Sequence, residues 1–340
     1  MTVDKQTPIE PGVQPKVASQ AARARRSIAV TLGMDRFSGL YVWAALFLLF
    51  SLWVPSLFDT VTNFRIIAGS QAVTAIVAMG LIVPVACGAF DLSIAGTMGM
   101  GVCIAVWFQV NNHGYLLGIA AALAFGVLVG LVNAFIVVKL HVDSFIGTLG
   151  MSTILSAGTT WVTGGFQVAN GISPHFTAIG QKQVLGLPLP VYYMIVLALI
   201  LWWMLEYTPF GRYLYGIGGN PQAARLAGIQ VGRVTTTAFM ISGLVAAFSG
   251  IMLAAELGSA SPDVGVPYLL PAFSAVFLGA TQILPGRVNV LGTLIAIFLL
   301  ATGVKGLQLA GAPNYINNLF NGIALIIAVA LAVRSARRRA

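Results

Sequence analysis

The chain of 340 residues carries 18 Lys and Arg against 9 Asp and Glu, for a net charge of +9, yet only 8% of it is charged and 58% is hydrophobic. Soluble domains carry about 25% charged residues, so this composition excludes a water-soluble globular enzyme and indicates an integral membrane protein. The basic excess is no nucleic-acid signature, because it is dispersed through the tails and alternate loops rather than gathered on one polar face.

The fold class expected is all-α and polytopic, since about 20 apolar residues make one span and the chain has room for about ten. Residues 1–36 are polar, with Pro8, Pro11 and Pro15 followed by Arg23, Arg25, Arg26 and Arg36. They hold no apolar core ending in a small-residue cleavage site, so a disordered cytoplasmic tail ahead of an uncleaved first span is expected. A transmembrane domain, 37–333, follows, and the basic residues after it form a second cytoplasmic tail, 334–340.

Within that domain the first span is expected at about 39–58, with Trp43 and Trp53 as anchors near its edges. The second covers about 66–88, broken by Pro84 and Gly88, and the third follows Asp91 to about 110. The fourth, about 115–138, carries Gly126 and Gly130 at the spacing that lets helices approach closely. The fifth is set at about 144–163, and residues 164–186 are too polar and Gly-rich to count as a span. The sixth, about 187–205, ends in Trp202 and Trp203, where the long polar loop 206–233 begins. Four more are expected at about 234–257, 265–284, 288–304 and 315–333.

The loop 206–233 contains a helix with marked ends. Asn220 can cap it, Pro221 suits its first position, and Gly228 stops it. Two turns, Pro221 to Ala227, cannot hold themselves together in water. The side carrying Ala223, Leu226 and Ala227 therefore needs a surface, either the protein's own spans or a second protein. An inside N-terminus with alternating spans leaves only Arg65, Lys182 and Lys305 outside among the basic residues. This favours cytoplasmic termini and a cytoplasmic loop 206–233.

These stretches resemble a known family. The loop GRYLYGIGGNPQAARLAGIQVGRV is similar to the cytoplasmic loop of ribose-type ABC transporter permeases. Residues 87–101, CGAFDLSIAGTMGMG, resemble its Gly-Gly-Ile-Asp-Leu-Ser segment. NAFIVVKLHVDSFIGTLGM, 133–151, and FLGATQILPGRVNVLGTLIA, 277–296, match two further segments in order. The resemblance implies a permease subunit of a sugar importer in a bacterial inner membrane. It implies two permease chains, expected as a homodimer, with cytoplasmic ATPase subunits and a periplasmic binding protein as partners. ATP and Mg would sit on the ATPase, with no cofactor on this chain and no nucleic acid. The docking residues it implies are Gly219, Asn220, Pro221, Ala223, Ala224, Arg225, Leu226 and Gly228. The sequence departs from the pattern at Gly88-Ala89, Asp143-Ser144, Gly279-Ala280, Pro285 and Lys305, positions in the path and its loops rather than the helical frame.

The candidate path residues are Phe90, Asp91, Ser93, Asn133, Thr148, Ser152 and Gln71. Asp91 either meets substrate hydroxyls beside a broken helix or caps the third span with help from Ser93. Phe90 either stacks on a sugar ring or packs. Asn133, Thr148, Ser152, Thr153, Gln71 and Thr74 either contact substrate or join helices by hydrogen bonds. Lys305, Glu256 and Asp263 fall on the outer side: Lys305 either meets an acidic group on a binding protein or is a snorkelling helix-end lysine, and Glu256 and Asp263 face the binding protein or simply solvent. Catalysis finds no support. His113, His141 and His175 are scattered without a paired carboxylate, and no GxxxxGK[ST] motif is present to hydrolyse ATP. A small hydroxylated solute, a sugar or sugar alcohol, is the expected cargo, with an ion-coupled secondary transporter as the alternative.

Overall fold

The computed structural model describes residues 34–313 and 315–337, so the expected tail lies almost entirely outside the described residues. Helix α1 covers Met34–Trp53, and a one-turn α2, Pro55–Phe58, follows it. The break between them falls where Pro55 lacks the N–H to continue α1. The expected first span, 39–58, is therefore two pieces. Trp43 is no edge anchor: its indole donates to Thr302 Oγ1 at 2.9 Å and its ring stacks on Phe298.

Helix α3, Val61–Ala86, is capped by the Thr60 hydroxyl and runs through Pro84 into its last turn. Helices α4, Ile94–Val110, and α5, Tyr115–Ala134, come next, and α5 is extended by a π-helical turn at Phe135–Lys139. Helix α6, Ser144–Thr163, is capped by Asp143, whose Oδ1 accepts from Phe145 N and Ile146 N. The stretch set aside as too polar for a span, 164–186, contains α7, Pro174–Gln181, and β1, Gln183–Val184, which pairs with β2, Leu187–Pro188. Phe176 of α7 is fully buried, and Gly180 lets α7 meet the backbone of Ala255 and Glu256.

Helix α8, Leu189–Tyr207, leads into α9, Pro209–Gly219, and α10, Pro221–Leu226. Helix α11, Val231–Leu257, is the longest element among the described residues, at 27 residues. It is followed by a 3₁₀ turn, Val266–Tyr268, and by α12, Leu269–Gly279, then α13, Val290–Leu309, and α14, Ile316–Arg337. The expected continuous span at 265–284 does not form. Helix α12 has 11 residues, about 16 Å, too short to cross alone. Gly265 seats the chain before it against Ala95 and Gly99 of α4, and Ile283 and Gly286 turn it back with positive φ. Helix α14 also runs on through Arg337, past the expected boundary at 333.

Six of the described helices are long and apolar enough to cross a membrane: α1, α3, α5 with its extension, α8, α11 and α13. The apolar α4, α12 and the first part of α14 are shorter. Helices α3 and α11 form the centre, each buried along 78% of its most apolar window. Glycines set how closely α11 packs. A Cβ on Gly126 would collide with the Gly243 carbonyl, and one on Gly130 with the Phe239 carbonyl. Gly250 meets α4 at Met98 in the same way. Close backbone approach of this kind replaces the hydrophobic drive that lipid removes.

Candidate functional site

The chain between α3 and α4 is held in place from three sides. Gly88, at φ +81°, ends α3 with its N–H on Val85 O, while Ala89 N reaches Pro84 O. This paired arrangement needs the left-handed conformation that glycine takes without a Cβ penalty. Beyond it, Phe90 N donates to Ser144 Oγ at 3.0 Å and Leu92 N to Thr148 Oγ1 at 3.0 Å, both on α6. Asp91 Oδ1 accepts from Ser93 N at 3.1 Å and from Ser93 Oγ at 2.6 Å, and its Oδ2 accepts from Ser242 Oγ of α11 at 2.6 Å. Asn133 Nδ2 of α5 donates to Ser93 Oγ at 2.7 Å.

Four of the seven expected path residues take part in this network. Asp91, Ser93, Asn133 and Thr148 are buried to within 1% and knit α4, α5, α6 and α11 around the break. The N-cap of α4 is Ser93, with no side-chain bond, and both oxygens of Asp91 accept hydrogen bonds within the protein. Phe90 packs against Phe277, which stacks on Phe273, each ring pair at 6.2 Å. Ser152 lies one turn beyond Thr148, where its backbone faces Gly96 of α4. Gln71 lines open space, together with Thr74. The Asn133 Oδ1 atom is buried with no partner.

That open space is a cavity of about 380 Å³ between α3, α13, α14 and the start of α12. Ser70, Gln71 and Thr74 come from α3, Lys305 and Gln308 from α13, and Asn317, Asn318 and Asn321 from the beginning of α14. Sequence reading treated Lys305 as a helix-end lysine and passed over the asparagines. Their spacing of one and three residues was the available signal, since it puts Asn318 and Asn321 on neighbouring turns of one helix face.

A second recess of about 410 Å³ lies at the other end of α3, bounded by Val85, Ala86, Tyr215, Gly218, Phe277 and Arg287. Gln71 and Ala86 are about 22 Å apart along α3. Helix α12 stands between the recesses, with Pro271 lining one and Phe277 the other. At the second recess Arg287 pairs with Glu206, and its guanidinium lies 4.4 Å from the centre of the Tyr215 ring. Tyr215 donates to Val288 O at 2.9 Å, and burial pushes its phenol up to about 12.

Helix α9 was missed because its turns look polar. It packs through Leu214 and Ile217, and Gly218 abuts the Ala86 carbonyl. Helix α10 has the expected ends: Asn220 Oδ1 accepts from Gln222 N and Ala223 N, both at 3.0 Å, and Gly228 has φ +83°. Its faces differ from expectation. Ala224 is the residue turned into the protein, at 5% exposure, whereas Leu226 is 92% exposed. Ala223, Arg225 and Ala227 are exposed beside it.

The family described as branched-chain amino acid transport system / permease component matches residues 63–329 of this chain. The ribose import permease protein of Escherichia coli strain K12 is 35% identical over 278 residues, covering 80% of this chain and 86% of that one. Its Bacillus subtilis strain 168 counterpart is 31% identical over 296 residues, 87% and 91% of the two chains. An autoinducer 2 import system permease protein of Escherichia coli O9:H4 strain HS is 33% identical over 261 residues, 75% and 78%. No solved structure matches.

Proposed function

The chain belongs to the branched-chain amino acid transport system / permease component family, as a ribose-type ABC permease of the bacterial inner membrane, and we propose that it carries a small hydroxylated solute inward. The relatives are named import permeases for ribose and for autoinducer 2, so the cargo class proposed is a sugar, a sugar alcohol or a similar polyol. A periplasmic binding protein delivers it to the cavity at Gln71 and Lys305. Separate ATPase subunits dock on α9 and α10, and two copies of this chain make one transporter. Both termini and residues 206–233 face the cytoplasm, the side where most of the basic residues then lie.

The observation that supports the docking reading best is Leu226. A large apolar side chain, 92% exposed on a two-turn capped helix beyond the spans, is unpartnered in the isolated chain. An apolar groove on an ATPase would cover it, as a short helix laid in a groove is recognised by its apolar anchors. The helix pair is also placed to act on the path. Gly218 of α9 rests on the end of α3, and Tyr215 binds Val288 just ahead of α13. Movement of a docked α10 is thereby passed to helices that line both recesses, and α12 is the short partition between them. Rocking of packed helices about such a partition exposes each recess in turn.

Co-purification with the ATPase subunit tests this. The Leu226→Glu variant should lose the ATPase and its solute-stimulated hydrolysis while keeping the melting temperature of the parent. Retention of the ATPase by the variant would end the docking assignment. Solute uptake that persists without any ATPase and collapses with an ion gradient would instead mean a secondary transporter.

A further inference from the structure

We propose that the cavity between α3, α13 and α14 takes a hydroxylated solute that also carries a carboxylate, with Lys305 as the ligand of the anion. This rests on the reading of that cavity as the outward part of the path and narrows its cargo from polyols at large to sugar acids.

The lining has one charge and one sign. Lys305 is accompanied by Ser70, Gln71, Thr74, Gln308, Asn318 and Asn321, and among the described residues no Asp or Glu borders the space. Carboxamides and hydroxyls both donate and accept, which suits the hydroxyl groups of a polyol, but none of them can neutralise a cation. An ammonium group has three donors and no acceptor, and among the described residues Lys305 has no hydrogen bond or ion pair. The only ion pair described, Arg287 with Glu206, belongs to the opposite recess. Glu256 lies near Tyr268 but does not line the cavity.

The surroundings add to the same sign of potential. Asn317 and Asn318 sit in the first turn of α14, where the unpaired N–H groups of a long helix favour an anion. Gln308 Nε2 donates to Asn317 Oδ1 at 3.0 Å, which fixes that turn beside Lys305. A lysine that only reached for lipid headgroups would lay its stem along apolar surface at the rim. Here it borders a cavity that mixes these polar groups with apolar side chains such as Ile297 and Val304, and whose volume of about 380 Å³ falls in the ordinary range for small-molecule sites.

D-Gluconate and sorbitol separate the charge from the hydroxyls, since both are six-carbon open chains and only the first has a carboxylate. Saturation-transfer NMR on the full chain in lipid nanodiscs should give a gluconate signal that weakens with added salt and is weaker or absent for sorbitol. Lys305→Gln should lower gluconate affinity about ten- to hundredfold, and Lys305→Arg should retain most of it. Equal binding of both probes, no gluconate binding by the parent chain, or gluconate binding unchanged in Lys305→Gln would each overturn the proposal. The last two results are those expected if Lys305 instead meets an acidic side chain of the binding protein. ATPase co-purification through Leu226 is read separately, so loss of that result marks failure of the docking assignment and not of this one.

Discussion

The hydroxyl of Ser242, in the middle of α11, donates to Oδ2 of Asp91 at 2.6 Å across 151 positions of sequence. Because Asp91 sits in the break between α3 and α4, this one bond ties the longest central helix to the point where the other central helix ends. Ser93 takes the second carboxylate oxygen and passes the tie on to Asn133 of α5. A buried polar network of this sort, with both Asp91 oxygens satisfied, favours one packing of the helices, and the unpaired Asn133 Oδ1 is its one open acceptor.

Removing the acceptor should therefore damage the frame and leave solute recognition at the cavity alone. Asp91→Ala strands the Ser242 and Ser93 hydroxyls, and destabilisation of about 2–4 kcal/mol is expected. Ser242→Ala strands only one carboxylate oxygen and should cost about 1–3 kcal/mol. Thermal unfolding in detergent measures both. A direct role for Asp91 in the path would show instead as lost solute binding at unchanged melting temperature.

The close crossing of α5 and α11 gives a second test. Gly126→Leu places a side chain where the Gly243 carbonyl lies, and loss of about 2 kcal/mol or more is expected from overpacking. Gly150→Leu is the control on α6, since nothing lies within 4 Å of a Cβ there. Comparable melting temperatures for the two variants would refute the close-contact reading.

Asn220 supplies both N-terminal acceptor bonds of α10. Asn220→Ala should cost about 1 kcal/mol locally, enough to fray a six-residue helix while leaving the spans intact. Reduced ATPase retention with an unchanged global melting temperature is the expected outcome, and Asn220→Asp should restore retention.

Alkaline pH tests the packing of α9. The Tyr215 phenol is raised from 10.0 to about 12, mainly by burial, so the neutral form is the one favoured in the folded chain. Its contribution is fully present below pH 10 and is lost as pH climbs toward 12, because the unfolded chain then binds fewer protons than the folded one. Deprotonation also removes the donor to Val288 O. The parent should lose stability over that window more steeply than Tyr215→Phe, as read from denaturant unfolding at pH 9 to 12.

Much of the molecule was legible in local sequence. Asn220, Pro221 and Gly228 marked the ends of α10 because capping is a property of a few adjacent residues. Gly126 and Gly130 marked a close helix contact through their spacing alone. The role of Asp91 was not legible, since a cap, a path ligand and an interhelical tie all require a carboxylate beside an apolar run. The eighth expected span failed for a related reason: residues 265–284 are apolar enough to cross, but Gly265 and the turn at Ile283 and Gly286 shorten the helix. Ala224 and Leu226 were both apolar residues of one short helix, and only the packing beneath it distinguished the buried one from the exposed one.

Composition by itself determined that this chain lives in a membrane and that it is helical. The tertiary structure alone decided which helices are central. Hydropathy marks α3, α5 and α11 alike as spans, yet α3 and α11 are buried along 78% of their windows and α5 along 33%. The reason is that hydropathy measures departure from water, and lipid tails are as apolar as a protein core. What separates them is close approach of glycines and hydrogen bonds between distant residues. The same holds for the cavity, where Lys305 meets Gln71 only because α13 and α14 fold back onto α3.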